Sequence, residues 1–511
     1  MKMSSLAMAV SLGMLAVSAV HATETTRVIV AFKPGTAAQG KAAVQAVRGK
    51  VKLELSEQNA MAIEVPVQAL KGLQNNPNIE YIEEDSLRYP FALTYPSSAP
   101  YQTGQLVPYG IKNVQADLLP SGDALTSNRK VCIIDSGYDL QHEDLNGNNV
   151  TGEYDSGTGW WYTDENSHGT HVAGTIAAIN NGTGVVGVNP NRNLKLHIVK
   201  VFGANGWAYS SSLVTAANKC KAAGANIISM SLGGGRSSKT EERAFSDMLT
   251  KNGILSIAAA GNDGNTTKSY PASYANVVSV AAVDHNKKWA TFSQYNNAVD
   301  IAAPGVQVLS TVPMGTGKAA NVSVNGSSYT AGIMDGSPDG NRTAPLVDFG
   351  LGTSTNTAAN GKVCLIQRGS VDFATKVTNC QNSGGVGAVI YNNVAGDFSG
   401  TLNGVVTTIP SVTVSDTTGS TLLGQLGQNA TVSVGASNYA YFDGTSMATP
   451  HVAAVAAMVW SYFPQCSATQ IRNALYNTAE DLETAGFDNK TGWGHVRAKA
   501  AYDYLSKSCN G

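Results

Sequence analysis

The chain has 511 residues, of which 43% are hydrophobic and 14% charged, so it is long enough for several domains with separate cores. Its 34 basic and 36 acidic residues leave a formal net charge of −2, which excludes a broad electrostatic attraction to nucleic acid or to an anionic membrane. We therefore expect no nucleic acid and no membrane among its partners.

Residues 1–22 predict a secretory signal peptide. Lys2 precedes an apolar run from about Leu6 to Val20, and Val20-His21-Ala22 leads into a polar stretch. This run is too short for a membrane anchor, and no later stretch reaches about 20 uninterrupted apolar residues. We therefore expect a secreted, extracellular protein without a transmembrane helix.

Six cysteines are available for disulfides in that oxidising compartment. Domain membership favours the pairs Cys364–Cys380 and Cys466–Cys509. Cys132 and Cys220 either pair or remain buried thiols, and the sequence leaves this choice open.

Residues 23–96 predict a separate small α+β domain. Strands are expected at 26–32, 60–65 and 79–85, and helices at 37–47 and 67–74. A segment of this length buries little apolar surface and is only marginally stable alone.

Two polar residues then stand at the ends of predicted elements. Asp135 ends the apolar run Val131-Cys132-Ile133-Ile134, which predicts a buried parallel strand with a carboxylate at its C-terminal tip. Functional sites of open α/β sheets gather at that edge. His168, in Ser167-His168-Gly169-Thr170, stands at a loop-to-helix junction. Taken alone, each residue is better explained as a turn cap or a helix filler.

Ser446 supplies the third member of a group. It lies in Gly444-Thr445-Ser446-Met447-Ala448, just before the apolar helical run 452–462, and so exposes its hydroxyl at a helix N-terminus. A serine hydroxyl becomes a nucleophile when a base accepts its proton, and that base needs an acid on its other nitrogen. Asp135, His168 and Ser446 together therefore predict a catalytic triad.

Residues 312–437 separate Ser446 from the rest of this pattern. They alternate predicted strands with Gly-rich turns, as in 361–369 and 384–393, and they contain no histidine. This segment therefore cannot supply the base. We expect a mainly β inserted domain that either regulates access of substrates or is a neutral spacer.

The order Asp135, His168, Ser446, with these flanks, resembles that of the subtilisin-like serine proteases. Further segments match landmarks of that family over roughly residues 105–311 and 438–511: they are 229–234, 258–264, 270–272 and 303–305. The resemblance implies an α/β fold, with a parallel-sheet catalytic domain that carries helices on both faces and is split into 97–311 and 438–511.

The same resemblance assigns roles in catalysis. Ser446 would attack a peptide carbonyl, His168 would accept its proton, and Asp135 would orient His168. The side-chain amide of Asn262 would stabilise the oxyanion together with the backbone N–H of Ser446. Without the triad, Asn262 is better explained as a turn residue beside Gly261.

Substrate binding is also implied by the resemblance. Ser231, Leu232 and Gly233 would pair with an extended peptide as an added strand, and a second backbone rail is expected near Gly206. Trp207 and Tyr209 either line an outer apolar pocket or are ordinary packing aromatics. No acidic cluster that demands arginine or lysine is evident, so we expect broad cleavage after bulky apolar residues.

A structural calcium ion is expected at residues 179–185, an irregular Gly-containing loop that interrupts the helix begun near His168. Such a loop turns carbonyls toward one point, which suits a cation that takes six to eight oxygens. The resemblance implies carbonyl ligands from Ile179, Thr183 and Val185 and side-chain ligands from Asn181, Asp144 and Gln105. The alternative is an Asn-Gly surface loop without metal.

The resemblance extends to both flanking domains. Residues 23–96 are similar to the subtilisin propeptide, a small ferredoxin-like α+β domain that acts as an intramolecular inhibitor and chaperone and is removed by cleavage between about Phe91 and Gln105. Residues 312–437 resemble a protease-associated domain. These features predict a monomeric, secreted serine endopeptidase that acts on proteins and peptides and is made as a self-processing precursor.

Two other classes of function compete with this prediction. An inactive binding protein on the same scaffold is disfavoured because Asp135, His168, Ser446 and Asn262 are all present. An esterase is disfavoured because the serine lacks the second glycine of a Gly-x-Ser-x-Gly elbow.

A zinc site at His168 and His171 is disfavoured because the His-Glu-x-x-His pattern is missing.

Overall fold

The computed structural model of the protein describes residues 24–91, 93–94, 99–100, 104–119 and 128–509. The predicted signal peptide, 1–22, lies outside the described residues, as does part of the predicted cleavage region. The chain divides into two compact units, Met1–Glu84 and Asp85–Gly511.

The first unit is a small α+β domain. Its elements are β1 (Thr25–Phe32), α1 (Ala37–Ala46), β2 (Lys50–Leu55), β3 (Ala60–Pro66), α2 (Leu70–Gln74) and β4 (Ile79–Glu84). The strands lie in the order β2-β3-β1-β4, and β1 pairs antiparallel with β3 and β4. Strand β2 was not predicted, although Val51, Leu53 and Leu55 alternate with charged residues as in a half-buried strand.

The second unit begins with short strands and continues into a parallel sheet. Up to residue 311 its strands are β5 (Leu87–Pro90), β6 (Leu93–Thr94), β7 (Ala99–Pro100), β8 (Lys130–Asp135), β9 (Asn149–Gly152), β10 (Tyr154–Asp155), β11 (Gly159–Trp160), β12 (Lys195–Lys200), β13 (Ala208–Tyr209), β14 (Ile227–Met230), β15 (Leu232–Gly233), β16 (Leu255–Ala259), β17 (Val277–Val283), β18 (Ile301–Pro304) and β19 (Val308–Thr311). Seven of them form the sheet β18-β17-β16-β14-β8-β12-β9, in which every pairing is parallel.

Strand β8 lies where the order of this sheet reverses. The chain leaves β8 toward β9 and β12 on one side and then builds β14 to β18 on the other. The carboxyl end of such a strand opens into a crevice, which is where sites of open α/β sheets form. Asp135 is the last residue of β8, so the topology itself places this carboxylate at the crevice.

The helices of this part are α3 (Tyr109–Asn113), α4 (His168–Ala177), α5 (Ser210–Ala222) and α6 (Lys239–Thr250). The inserted region follows with β20 (Gly317–Val324), β21 (Ser327–Tyr329), β22 (Gly332–Asp335), β23 (Gly340–Asp348), β24 (Val363–Gln367), α7 (Phe373–Asn382), β25 (Gly387–Tyr391), β26 (Gly400–Thr401), β27 (Ser411–Val414), α8 (Asp416–Leu423) and β28 (Asn429–Ser437). Its strands form one sheet with two helices beside it, which agrees with the mainly β domain predicted for 312–437.

The chain then returns to the parallel sheet through β29 (Tyr439–Asp443), α9 (Thr445–Tyr462), α10 (Ala468–Asn477) and α11 (Ala498–Ser508). Ile133 of β8 belongs to the core shared with α4 and α9, whereas Ile134 belongs to the core shared with α5 and α6. Because neighbouring residues of a strand point to opposite faces, helices cover both faces of the sheet, as predicted.

Three disulfides stabilise the second unit: Cys132–Cys220, Cys364–Cys380 and Cys466–Cys509. The two pairs that domain membership favours are confirmed. Cys132 and Cys220, left open by the sequence, join β8 to α5 with their Cα atoms 5.6 Å apart. Among the described residues, no helix is both long and apolar enough to cross a membrane.

Candidate active site

Asp135 and His168 meet at the carboxyl end of β8. His168 Nδ1 lies 2.7 Å from Asp135 Oδ1, and both side chains are buried. The same carboxylate oxygen accepts the backbone N–H of Ser136 at 2.7 Å. With Nδ1 bound to an acid, the Nε2 nitrogen of His168 is the one left to act as a base.

This pair is held by close contact between the loop after β8 and the start of α4. A Cβ atom at Gly169 would overlap the backbone of Gly137, so only glycine permits this approach. Asp164, which the sequence analysis missed, links the same two elements. Its carboxylate accepts the Ser136 hydroxyl at 2.8 Å and the backbone N–H of Thr170, in the first turn of α4, at 2.8 Å.

Ser446 is the second residue of α9, which follows Gly444 as its N-cap. Its Oγ donates a hydrogen bond of 2.8 Å to the carbonyl of Ser231, while the Ser231 hydroxyl donates to the carbonyl of Ser446 at 2.7 Å. Within the described part of the chain, His168 Nε2 has no hydrogen-bond partner. The hydroxyl must therefore turn from Ser231 to His168 before a proton is transferred.

Asn262 lies beside the serine with its amide orientation fixed. Its Oδ1 accepts the backbone N–H and the hydroxyl of Thr445, both at 2.9 Å. Because the oxygen is used in this way, Nδ2 points into the groove, where it donates to the carbonyl of Phe91 at 2.8 Å. Thr445 was not recognised from the sequence, although it neighbours the serine.

The segment that ends at Phe91 lies in a groove as an added strand. Strand β5 pairs antiparallel with β15, Leu232 opposite Pro90 and Gly233 opposite Tyr89. The backbone N–H of Phe91 donates to the carbonyl of Ser231 at 3.2 Å. The predicted strand 231–233 thus pairs with an extended segment of the chain itself.

The ring of Phe91 enters a pocket beside this strand. A Cβ atom at Gly233 would lie 2.6 Å from Phe91 Cε2 and 2.6 Å from Ser269 Oγ. Gly233 therefore leaves the space that the aromatic ring fills, and Ser269 lies beside the same space.

The second backbone rail differs from the prediction. Strand β5 pairs on its other edge with β13, Ala208 opposite Arg88 and Tyr209 opposite Leu87. Gly206 lies in a turn instead, because its N–H donates to the carbonyl of Gly203 at 3.0 Å. The rail is therefore formed by Ala208 and Tyr209, two residues beyond the predicted Gly206.

His171 has a structural function. Its Nε2 lies 3.0 Å from the carbonyls of both Val308 and Ala440, and its ring stacks on Phe442. Burial lowers the pKa of His171 to about 3. The imidazole therefore stays neutral near pH 7, and its Nε2 proton is occupied by the two carbonyls.

The predicted calcium ligands converge in the structure. Gln105 Nε2 lies within hydrogen-bonding distance of oxygens from four residues, Ile179, Asn181, Thr183 and Val185, at 2.9, 3.3, 3.0 and 3.4 Å. Asp144 adjoins them, since its two carboxylate oxygens accept from Asn181 Nδ2 and from the backbone N–H of Val185. A cluster of oxygens with one carboxylate is a donor set that suits Ca²⁺.

These observations join a serine, a buried histidine–aspartate pair and an amide donor at one sheet edge. A model of the subtilase family matches residues 126–334 and 360–494. The chain belongs to the subtilase family. It is therefore a subtilisin-like serine endopeptidase rather than an esterase or an inactive scaffold. A model of the fervidolysin N-terminal prodomain matches residues 25–85, which identifies the first unit as a propeptide.

Similar proteins support this assignment. Subtilisin E of Bacillus subtilis (strain 168) is 37% identical over 312 residues, 60% of this chain and 78% of that protein. Alkaline elastase YaB of Bacillus sp. (strain YaB) is 40% identical over 281 residues, 53% of this chain and 67% of that protein.

Among solved structures, the psychrophilic subtilisin-like protease Apa1 from the Antarctic psychrotroph Pseudoalteromonas sp. AS-11 is similar. It has 46% identity and a TM-score of 0.65, and the match covers 80% of this chain and 99% of that chain. Fervidolysin from Fervidobacterium pennivorans, at 24% identity and a TM-score of 0.59, shares the fold over 94% of this chain and 61% of its own.

Proposed function

We propose that Ser446 is the nucleophile of this endopeptidase, with His168 as its base and Asp135 as the acid that orients His168. The Ser446 hydroxyl transfers its proton to His168 Nε2 while Oγ bonds to the substrate carbonyl carbon. The resulting oxyanion accepts hydrogen bonds from the side-chain amide of Asn262 and from the backbone N–H of Ser446. His168 then returns the proton to the leaving amine, and water hydrolyses the acyl-enzyme by the same route.

The observation that carries this proposal is the hydrogen bond from Asn262 Nδ2 to the Phe91 carbonyl, at 2.8 Å. A donor for the oxyanion belongs at the carbonyl of the bond to be cleaved, and the pairing of 87–90 with β15 presents that carbonyl in an extended strand. We therefore infer that the precursor cleaves itself between Phe91 and Ala92. This bond lies inside the range 91–105 predicted from the sequence.

The preference for bulky apolar residues before the cleaved bond is supported by the Phe91 ring, which packs against Gly233 near Ser269. Secretion is proposed from the signal-peptide pattern of 1–22. The mature enzyme is proposed to act extracellularly as a monomer on proteins and peptides, with its propeptide as an intramolecular inhibitor until cleavage.

Calcium is proposed to bind at Gln105, Asp144 and the loop 179–185. The residues named above would hold it through side-chain and carbonyl oxygens, and the ion would supply structural stability rather than chemistry. A 180° rotation of the Gln105 amide would turn its oxygen toward the loop and add one more oxygen to the cluster. Burial raises the pKa of Asp144, and a cation would offset that cost.

The inserted region 312–437 is proposed to be a protease-associated domain that influences the substrate's path beyond the cleaved bond. Residues 93–94, as β6, pair with β29 beside Ser446. Residues 99–100, as β7, then pair with β20 of the insert. A substrate that follows the same path would contact the insert only if it extends several residues past the cleaved bond.

Ser446→Ala in the full-length precursor tests the central proposal. Loss of the serine costs about a millionfold in turnover in comparable triads, so the variant should accumulate as an uncut precursor, inert toward casein. A trace of wild-type enzyme should then cut it after Phe91, as intact-mass spectrometry would report. Ser420→Ala, at an exposed serine of α8, should mature normally. Unaided maturation of Ser446→Ala would refute the assignment.

A further inference from the structure

The side chain of Arg88, the fourth residue before the proposed cleavage site, is fully buried in the groove. Its guanidinium forms two hydrogen bonds with Glu241, Nε to Oε1 at 3.0 Å and Nη2 to Oε2 at 2.5 Å. Glu241 is fully buried as well. Arg88 belongs to strand β5, so this ion pair exists only while β5 occupies the groove.

Every edge of the guanidinium is used. Nη1 donates to the carbonyl of Leu87 at 2.9 Å, and Nη2 also donates to the carbonyl of Arg236 at 3.0 Å. The planar fork of arginine matches a carboxylate in this two-point geometry, which the single ammonium of lysine cannot reproduce. The pocket therefore fits the shape of arginine as well as its charge.

Glu241 is held in place by the protein independently of Arg88. It is the third residue of α6, and its backbone N–H donates to the side chain of the N-cap, Ser238, at 3.1 Å. The positive end of the helix dipole favours a carboxylate at this position. Tyr274 donates its hydroxyl to Glu241 Oε2 at 2.7 Å, and burial raises the pKa of this phenol, so it remains a donor.

A buried carboxylate is tolerated only when a partner compensates its lost hydration. Once strand β5 leaves, Glu241 and Tyr274 line a cavity that presents negative charge to the groove. An apolar side chain entering that cavity would cover the carboxylate without neutralising it. An arginine restores both the charge balance and the hydrogen bonds.

We propose that Glu241 makes this protease select arginine at the fourth position before the cleaved bond, in its own precursor and in its substrates. This inference rests on the proposed cleavage after Phe91. No sequence pattern predicts this preference, because the run Ser-Ser-Lys-Thr-Glu-Glu does not distinguish the buried Glu241 from its exposed neighbour Glu242. This preference for arginine at the fourth position would add to the preference for a bulky apolar residue directly before the cleaved bond.

The test uses mature enzyme and p-nitroanilide peptides with the sequence of residues 85–91, in which Arg88 is kept or replaced by citrulline or leucine. Citrulline has the shape of arginine without its charge. Because hydrogen bonds to charged groups are stronger than those between neutral groups, we expect kcat/KM for the arginine peptide to be on the order of 10- to 100-fold higher than for the citrulline and leucine peptides. In Glu241→Gln this ratio should fall toward one, while Glu242→Gln should keep it.

Arg88→Leu with Glu241→Leu provides a second measurement if Glu241→Gln fails to mature. This double variant replaces the ion pair by apolar side chains, which proteins often tolerate, and it should prefer the leucine peptide. Ratios within about threefold for all peptides in the wild type, or an unchanged ratio in Glu241→Gln, would overturn the inference. Failure of the wild type to cleave any of the peptides after phenylalanine would instead contradict the proposed cleavage site.

Discussion

The two sides of the proposed cleavage site are bound in different ways. Before the bond, β5 is paired along both edges, with β13 and β15, and the side chains of Arg88 and Phe91 fill pockets at Glu241 and Gly233. After the bond, β6 and β7 pair through their backbones with β29 and with β20 of the insert. Two pockets that receive side chains thus lie before the bond, and backbone pairing is present on both sides of it.

This difference has a physical reason in the proposed maturation. The segment before the bond is released with the propeptide, and the substrates that replace it have no covalent link to the enzyme, so its pockets must position them by non-covalent contacts alone. The segment after the bond remains part of the enzyme chain, and Gln105 is fixed by the loop 179–185. A backbone ladder, which ignores sequence, is sufficient there.

Asn262→Ala tests the point where the two sides meet. Removal of one side-chain oxyanion donor typically lowers kcat by about 10²–10³, and we expect this loss for every peptide, whichever side of the bond it occupies. KM should change much less, because the donor acts on the transition state. Asn265→Ala, at an exposed asparagine of the same loop, is the control. A change in KM alone would mean that Asn262 only binds the ground state.

Gly233→Ala tests the pocket before the bond. The added Cβ would lie 2.6 Å from the Phe91 ring and 2.6 Å from Ser269 Oγ, so peptides with phenylalanine before the bond should lose on the order of tenfold or more in kcat/KM, as expected for an overpacked site that costs 1–3 kcal/mol. Peptides with alanine there should be affected little. Gly235→Ala is the control, since nothing lies within 4 Å of its added Cβ. Equal losses for both peptides would show a general distortion instead.

The sequence predicted most of the fold and the central group of the site because these depend on local patterns. The apolar run before Asp135 and the small residues around Ser446 each identify an element and its end. Asp164, Glu241 and the Ala208–Tyr209 rail escaped prediction, because their importance arises from contacts between distant elements. A single residue carries no periodic signal, so only the folded chain shows which distant residues meet.

Calcium should stabilise the enzyme where the segment after the bond is anchored. Burial raises the pKa of Asp144, so the folded state favours the protonated form of this carboxyl. Without metal, the contribution of Asp144 to the free energy of unfolding is therefore present below its unfolded pKa and is lost as pH rises through its folded pKa. Calcium binds the ionised form, so the melting temperature in calcium should exceed that in chelator, increasingly so as pH rises from acid to neutral. At 100-fold excess over Kd the gain is about 2.7 kcal/mol.

Calorimetry of the mature enzyme from acid to neutral pH measures this difference. Asp144→Asn should remove most of it, whereas Asp348→Asn, at an exposed carboxylate of the insert, should keep it. Identical melting curves in calcium and chelator at every pH would mean that the loop 179–185 is a metal-free turn.

Replacement of 312–437 by a short Gly-containing loop should have the smallest effect on the chemical step. It removes contacts on only one side of the proposed cleavage site, the side after the bond. The residues proposed for catalysis and for binding before the bond all lie outside the insert, so peptides that end at the bond should be cleaved within about threefold of the wild-type rate, the range of near-neutral changes. Peptides that extend eight or nine residues past the bond would lose the pairing that Ala99–Pro100 makes with β20. Their KM should rise while kcat stays similar.

A far-ultraviolet spectrum and a cooperative melt establish that the shortened enzyme is folded. If the long and short peptides then respond equally, the insert is a spacer; if neither is cleaved, the insert helps to build the catalytic site itself.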